Sequence, residues 1–179
     1  ELIPASWIDV DDRVILKCRV PLCRYFGRSR HCPPNNPHPD FMRQAFGKYT
    51  WAILFALDVI PVAEFSNRVV QQKAGVEWTK RNMEITGTLE STAFGFGYYL
   101  AMGFSQFNCH VALCEGKPCQ VLQGNKCAYP LKARPSMEGV GIDVFRLVTK
   151  AGWEIYPIYR SVDPAVVPRA MSVGIVFVC

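Results

Sequence analysis

The chain lacks any apolar run that could cross a bilayer, since its longest, Trp51 to Leu57, falls far short of the ~20 residues a spanning helix needs. It also lacks the basic-then-apolar opening of a secretory signal, because Glu1 to Val10 is neither, so a cytoplasmic setting is expected. There is no H-E-x-x-H, no nucleotide-binding glycine loop, no G-x-S-x-G elbow and no radical-type C-x3-C-x2-C. Gly95-Phe96-Gly97 has neither a preceding strand nor a third glycine, which leaves helix packing as its use. Histidine is scarce, with only His31, His38 and His110, each in or beside a cysteine-rich loop. Cysteine is missing from Pro33 to Asn108. A disulfide scaffold would spread its cysteines over a much smaller chain, and 179 residues that are 50% hydrophobic can build a core without cross-links.

The cysteines that are present are concentrated. Cys18, Cys23 and Cys32 form C-x4-C-x8-C-P-P, and Cys109, Cys114, Cys119 and Cys127 form C-x4-C-x4-C-x7-C, leaving Cys179 alone at the end. Thiolates gathered in proline-rich loops suit a thiophilic metal centre. Zinc prefers two tight pairs closing a tetrahedron. A [4Fe–4S] cluster takes one thiolate per iron, often from one continuous loop, and the even spacing of the second block favours it over zinc. The first block supplies three thiolates, so its fourth position falls to Cys179, His31, His38, water or a substrate. If Cys18 or Cys32 is instead a buried apolar residue, no first cluster exists.

The expected fold is α/β in the α+β sense: one domain over residues 1–179, a mixed sheet with packed helices and two cysteine-rich loops. Arg13 to Lys17 reads as a strand delivering Cys18, and Pro21 to Pro39 as a loop. A helix is expected from Pro39, with Phe41, Met42, Ala45, Phe46 and Tyr49 at helical spacing, followed by a buried strand from Thr50 to Ile60. Val62 to Phe104 reads as two helical pieces. Val62, Phe65 and Val69 mark the first, which weakens at Gly75; Leu89, Ala93, Phe96 and Leu100 mark the second. Pro135 and Ser136 open a helix through Val140, Val144, Leu147 and Val148, closed by Gly152. Trp153 to Tyr159 and Met171 to Val178 read as strands.

A net charge of +5 places Arg19, Arg24, Arg28 and Arg30 near the first block and Lys117, Lys126, Lys132 and Arg134 near the second. Cations of this kind lower thiol pKa values and favour the metal-binding form. Nucleic acid is the weaker reading, because few aromatics interleave with the charges. At the expected helix start after Cys127, backbone N–H groups favour an anion, which makes Arg134, Ser136 and Glu138 candidate cofactor-binding residues. Arg134 is then an anion clamp or a partner for Glu138, and Glu138 either stabilises the helix dipole or works as an acid/base.

The strings C-R-V-P-L-C-R-Y-F-G-R-S-R-H-C-P-P-N-N-P (residues 18–37), G-Y-Y-L-A (97–101) and C-A-Y-P-L-K-A-R-P-S-M-E-G-V-G-I-D-V (127–144) resemble a widespread prokaryotic group of cysteine-rich predicted metal-binding proteins, common in anaerobes and methanogens. The resemblance runs from about Val14 to Tyr156. Two departures stand out: Phe26 separates Tyr25 from Gly27, and the second block is wider than the family's usual C-x2-C-x2-C. The resemblance implies a metal or iron–sulfur centre on Cys18, Cys23, Cys32, Cys109, Cys114, Cys119 and Cys127, but supplies no reaction. Three functions compete: an electron-transfer protein with one or two [4Fe–4S] clusters serving a redox partner or larger complex, an enzyme with an open cluster site for sulfur-transfer or Lewis-acid chemistry, and a zinc-stabilised interaction module.

Overall fold

A computed structural model describes residues 1–158 and 163–179, with the side chains of 68–72 and 164 outside the description. Four strands form a sheet in the order β1-β2-β4-β3: β1 (Leu2–Pro4), β2 (Trp51–Asp58), β3 (Met102–Phe104) and β4 (Met171–Val178). Every pairing within it is antiparallel, and the longest register runs from Trp51 opposite Val178 to Asp58 opposite Met171. Among the described residues, six α-helices accompany the sheet: α1 (Asp12–Arg19), α2 (Pro39–Phe46), α3 (Ala63–Ser66), α4 (Arg68–Gly95), α5 (Cys109–Ala112) and α6 (Val144–Lys150). The class is the expected one, helices packed on a sheet. Among the described residues, no helix is long and apolar enough to cross a membrane.

The two sheet faces follow from the period of two along β4. Val173, Ile175 and Phe177 point into the main core with Ala52 and Leu54, while Val176 and Val178 turn to the opposite face against Ala93 of α4. Phe46 of α2 stacks on Phe177 at 4.3 Å between centroids and meets Phe104 edge-on at 5.2 Å. Offset and edge-to-face pairs of this kind add to the area they bury.

Several expectations require correction. Arg13 to Lys17 is helical, not extended. Asp11 caps α1, its carboxylate accepting from the Arg13 N–H at 2.8 Å, with Asp12 in the first turn and Lys17 and Arg19 in the last. Cap and charge arrangement outweigh the strand preference of Val14 and Ile15, so Cys18 rides on a helical last turn. The two helical pieces after Val62 divide at Asn67, not near Gly75, and α4 runs through Gly75 to Gly95. The Leu89 stripe therefore stops early: Phe96 and Leu100 are exposed, and Met102 to Phe104 is strand β3. Val69 has its side chain outside the described residues. Trp153 to Ile158 is irregular rather than a strand, and Tyr159 lies outside the described residues.

The helix expected from Pro135 is a short 3-10 turn, Glu138–Val140, followed by the separate α6. Asp143 is not mid-helix: it caps α6 through the Arg146 N–H at 3.0 Å. Gly141 breaks the helix with φ at 91°, and a Cβ there would stand 2.9 Å from Val10 Cγ1. Strained left-handed backbone together with that clash makes Gly141→Ala costly. We expect it to lower stability by roughly 1–3 kcal/mol, read as a drop in the urea midpoint at unchanged slope. An unchanged midpoint would show that the turn relaxes freely.

Candidate metal centre

The segment Pro135 to Asp143 is a hub joining three parts of the chain. Ser105 donates its N–H to the Pro135 carbonyl at 2.9 Å and accepts from the Met137 N–H at 2.8 Å. On the other side, the Asp11 N–H donates to the Gly141 carbonyl at 2.8 Å and Val10 bridges Ile142. The Asn36 side chain of the first cysteine loop donates to the Gly139 carbonyl. A Cβ on Gly139 would sit 2.8 Å from Ser136 Oγ and 3.6 Å from the His31 carbonyl, so glycine lets the first loop approach. The M-E-G-V-G-I-D string is thus the stitching that holds α1, with Cys18 at its end, against the two cysteine loops.

The second loop is anchored on α4. Met83, fully buried, packs with Cys109, Ala112, Leu113 and Ala133, and Cys127 leans on this small core. Asn108 starts α5 by accepting from the Val111 N–H at 3.0 Å, which fixes the direction in which Cys109 leaves the backbone. Gly87 on α4 allows the chain after Cys127 to lie close, since a Cβ there would come within 2.6 Å of the Leu131 carbonyl oxygen.

The two loops meet at buried thiols. His31 Nδ1 lies 3.6 Å from Cys109 Sγ, and Tyr25 meets Phe107 edge-on at 5.4 Å. Burial pushes the Cys109 thiol up to about 12, with Cys32, Cys114 and Cys119 close enough to add to the shift. Burial likewise raises Cys32, where Cys23 and Cys119 contribute, and Cys18, where Cys23, Cys32 and Glu138 contribute. Cys114 is raised by burial and by Cys119 and Cys127. All seven clustered cysteines therefore take part in one web of mutual influence, and Cys32, Cys109 and Cys119 link its halves. Ser29, fully buried, partly offsets the shift at both Cys32 and Cys109. The expectation that basic residues would lower these thiols is corrected: burial dominates at all four, and no cation is among the causes.

All eight cysteines are free thiols. Among the described residues, no three His, Cys, Asp or Glu side chains stand ready-made around one ion. The donor chemistry nevertheless suits a thiophilic metal. Two ligands at the usual Zn–S and Zn–N lengths on one tetrahedral ion stand about 3.6 Å apart, the spacing of Cys109 Sγ and His31 Nδ1. His31 is held down to about 4 by burial first, then by Arg134 and Arg30, so its ring is neutral and able to ligate near pH 7. The Tyr25 N–H points at Cys23 Sγ at 3.5 Å and the Tyr129 N–H at Cys127 Sγ at 3.4 Å, each two residues beyond its cysteine. Such donors stabilise thiolate and tune whatever it holds. His110, buried beside Cys109, has an Nδ1 with no partner among the described residues.

The other candidates separate. His38 caps α2 on the surface and pairs with Asp40 at 3.3 Å, and Cys179 is exposed beyond β4. Arg134 does not pair with Glu138. It forms a buried two-pronged pair with Glu90 of α4, at 2.9 and 2.6 Å, and its third nitrogen donates to the Pro130 and Ala133 carbonyls. Ser136 Oγ accepts from the Gly139 N–H at 2.9 Å and so serves the turn. With only a 3-10 turn at Glu138–Val140, the α-helix start expected at Pro135 does not exist. Glu138 keeps a place: it opens onto two cavities, and the protein enclosing them raises its carboxyl above the ordinary range.

Sequence reasoning missed Ser29 and Asn108. Asn directly before Cys109 is a cap signal that was available; Ser29 carries no local signal, because its influence on Cys109 exists only across loops. These features define a cysteine-rich α+β protein whose soft donors are gathered in two adjoining loops. The chain belongs to a family described as predicted metal-binding protein (DUF2284), which it matches over residues 1–178. No curated protein and no solved structure matches it.

Proposed function

We propose that this metal-binding protein carries iron–sulfur centres on its seven clustered cysteines and passes electrons to a partner protein or within a larger complex. The observation that carries this reading is the linkage of the two blocks: Cys32 and Cys109, from separate loops, each feel thiols of the other block. Two centres seated there would be near neighbours, as exchange of electrons between them requires. When bound, such centres supply one-electron chemistry at potentials tuned by hydrogen bonds and burial. The chain's own part is to bury Cys32 and Cys109, half-shield the other five thiols, aim the Tyr25 and Tyr129 N–H groups at sulfur, and keep His31 neutral.

A second reading, an enzyme with an open position at the first block, is favoured by one specific observation. Cys18 lines a cavity of about 430 Å³, so a centre held there would be reachable by a small molecule. Protein purified without oxygen is expected to be brown, with iron and acid-labile sulfide in equal amounts, about four to eight of each for one or two cubane clusters. Stoichiometric zinc without sulfide would remove both readings and leave the interaction module.

A further inference from the structure

The cavity beside Cys18 has apolar walls and one carboxylate without a protein donor. Its walls come from three sources: Val14 of α1, Ile142 and Val144 at the entry to α6, and Ile155 with Met171 and Val173 at the open end of β4. At about 430 Å³ it lies in the range of small-ligand sites. Across Gln106 and Glu138 it adjoins a second cavity of about 580 Å³, bounded by Arg24, Tyr25 and Phe107. Phe107 has φ at 54°, a conformation that bulky side chains rarely adopt and that marks a position fixed by its surroundings.

Of the four charged residues on the first cavity, Arg169 and Asp143 are committed, while Lys17 and Glu138 have no ion-pair partner among the described residues. Arg169 is held by Asp58 at 2.6 Å, and Asp143 caps α6. The Glu138 carboxylate is different: among the described residues, no other residue donates a hydrogen bond to it, although it stands near Cys18. Glu138 is exposed to the cavity rather than sealed, so the donor of an entering ligand takes the place of water on its carboxylate.

We propose that this cavity binds a small apolar molecule carrying a hydrogen-bond donor, an amine, alcohol or thiol, whose polar end rests on Glu138 beside Cys18. The apolar body fills the space between Val14, Ile155 and Val173. The site does not depend on which metal the cysteines hold. It gives the second functional reading a substrate class, and it stands even if that reading fails.

Calorimetric titration of the metal-loaded protein with n-hexylamine, n-hexanol, hexanoate and methylamine tests it. The first two are expected to bind with Kd of roughly 0.1–1 mM, reasonable for seven heavy atoms. Hexanoate, which places a second carboxylate on Glu138, and methylamine, which reaches a metal but fills no apolar space, should each bind at least ~10-fold more weakly, a difference of one tenfold step in Kd. Ile155→Trp, or Val14→Trp on the opposite wall, should weaken hexylamine and hexanol together by a similar factor. Glu138→Gln should weaken hexylamine selectively, because the amide still accepts from an alcohol. Equal binding of hexanoate or methylamine, binding untouched by the folded filling variants, or no binding at all would each overturn the site. If both tryptophan variants misfold, the comparison of hexylamine with hexanol in Glu138→Gln still decides.

Discussion

Cys109→Ser is expected to strip the protein of most of its metal, whereas Cys179→Ser keeps all of it. Cys109 stands where the two loops meet, 3.6 Å from His31 and within influence of Cys32, Cys114 and Cys119. Loss of an outer partner alone commonly costs 10–100-fold in metal affinity, so removing a thiol at this junction should cost more than about a hundredfold. Cys179 has no such neighbours. It follows β4, whose opposite end, Met171, lines the cavity shared with Cys18. At ~3.3 Å per residue, that places Cys179 roughly 25 Å along the strand from the cavity. Metal analysis after gel filtration, performed without oxygen on both variants and on His31→Ala, separates the possibilities. If Cys179→Ser loses as much metal as Cys109→Ser, or if Cys109→Ser retains its full content, the junction is not the centre.

Arg134→Met is expected to destabilise the fold by about 3–5 kcal/mol, the penalty for leaving a buried charge without its partner. Side chains of Arg134 and Glu90 are only 9% and 18% exposed, and their two parallel contacts tie α4 to the chain just after the second cysteine block. Glu90 also accepts from the Gly103 N–H at 2.5 Å, so Glu90→Gln should be milder, because the amide oxygen can keep that bond. Replacing both partners by apolar residues should recover much of the loss, as buried pairs often tolerate. Denaturant titration of the three variants gives the answer. A loss under about 1 kcal/mol in Arg134→Met would show that the pair is not structural and would return Arg134 to the role of anion clamp.

Legibility in the sequence followed the range of the forces involved. The buried strands β2 and β4 and the amphipathic α2 were readable because their side chains face one environment over many residues. Strand β1 and strand β3, three residues each, were not: they exist because β2 and β4 offer them edges to pair with. The long α4 was misread for another reason. Its buried face is polar at Thr79, Asn82 and Thr86, and Asn82 donates to Ser172 at 2.9 Å while accepting from Ser105 at 2.8 Å. A hydrophobic period cannot register a face satisfied by hydrogen bonds. The Pro135 helix failed because Gly141 answers to Val10, a residue more than a hundred positions away.

Which atoms can bind metal was decided by the sequence alone, because thiol and imidazole chemistry belongs to the side chain and the two cysteine blocks are written in plain spacing. How they combine was decided by the tertiary structure. It set His31 against Cys109, placed Cys179 and His38 on the surface, committed Arg134 to Glu90, and left Glu138 facing a cavity with Cys18. The reason is that desolvation, pairing and reach depend on neighbours brought together through the Pro135 to Asp143 hub, and local sequence does not encode distances between segments joined only by folding.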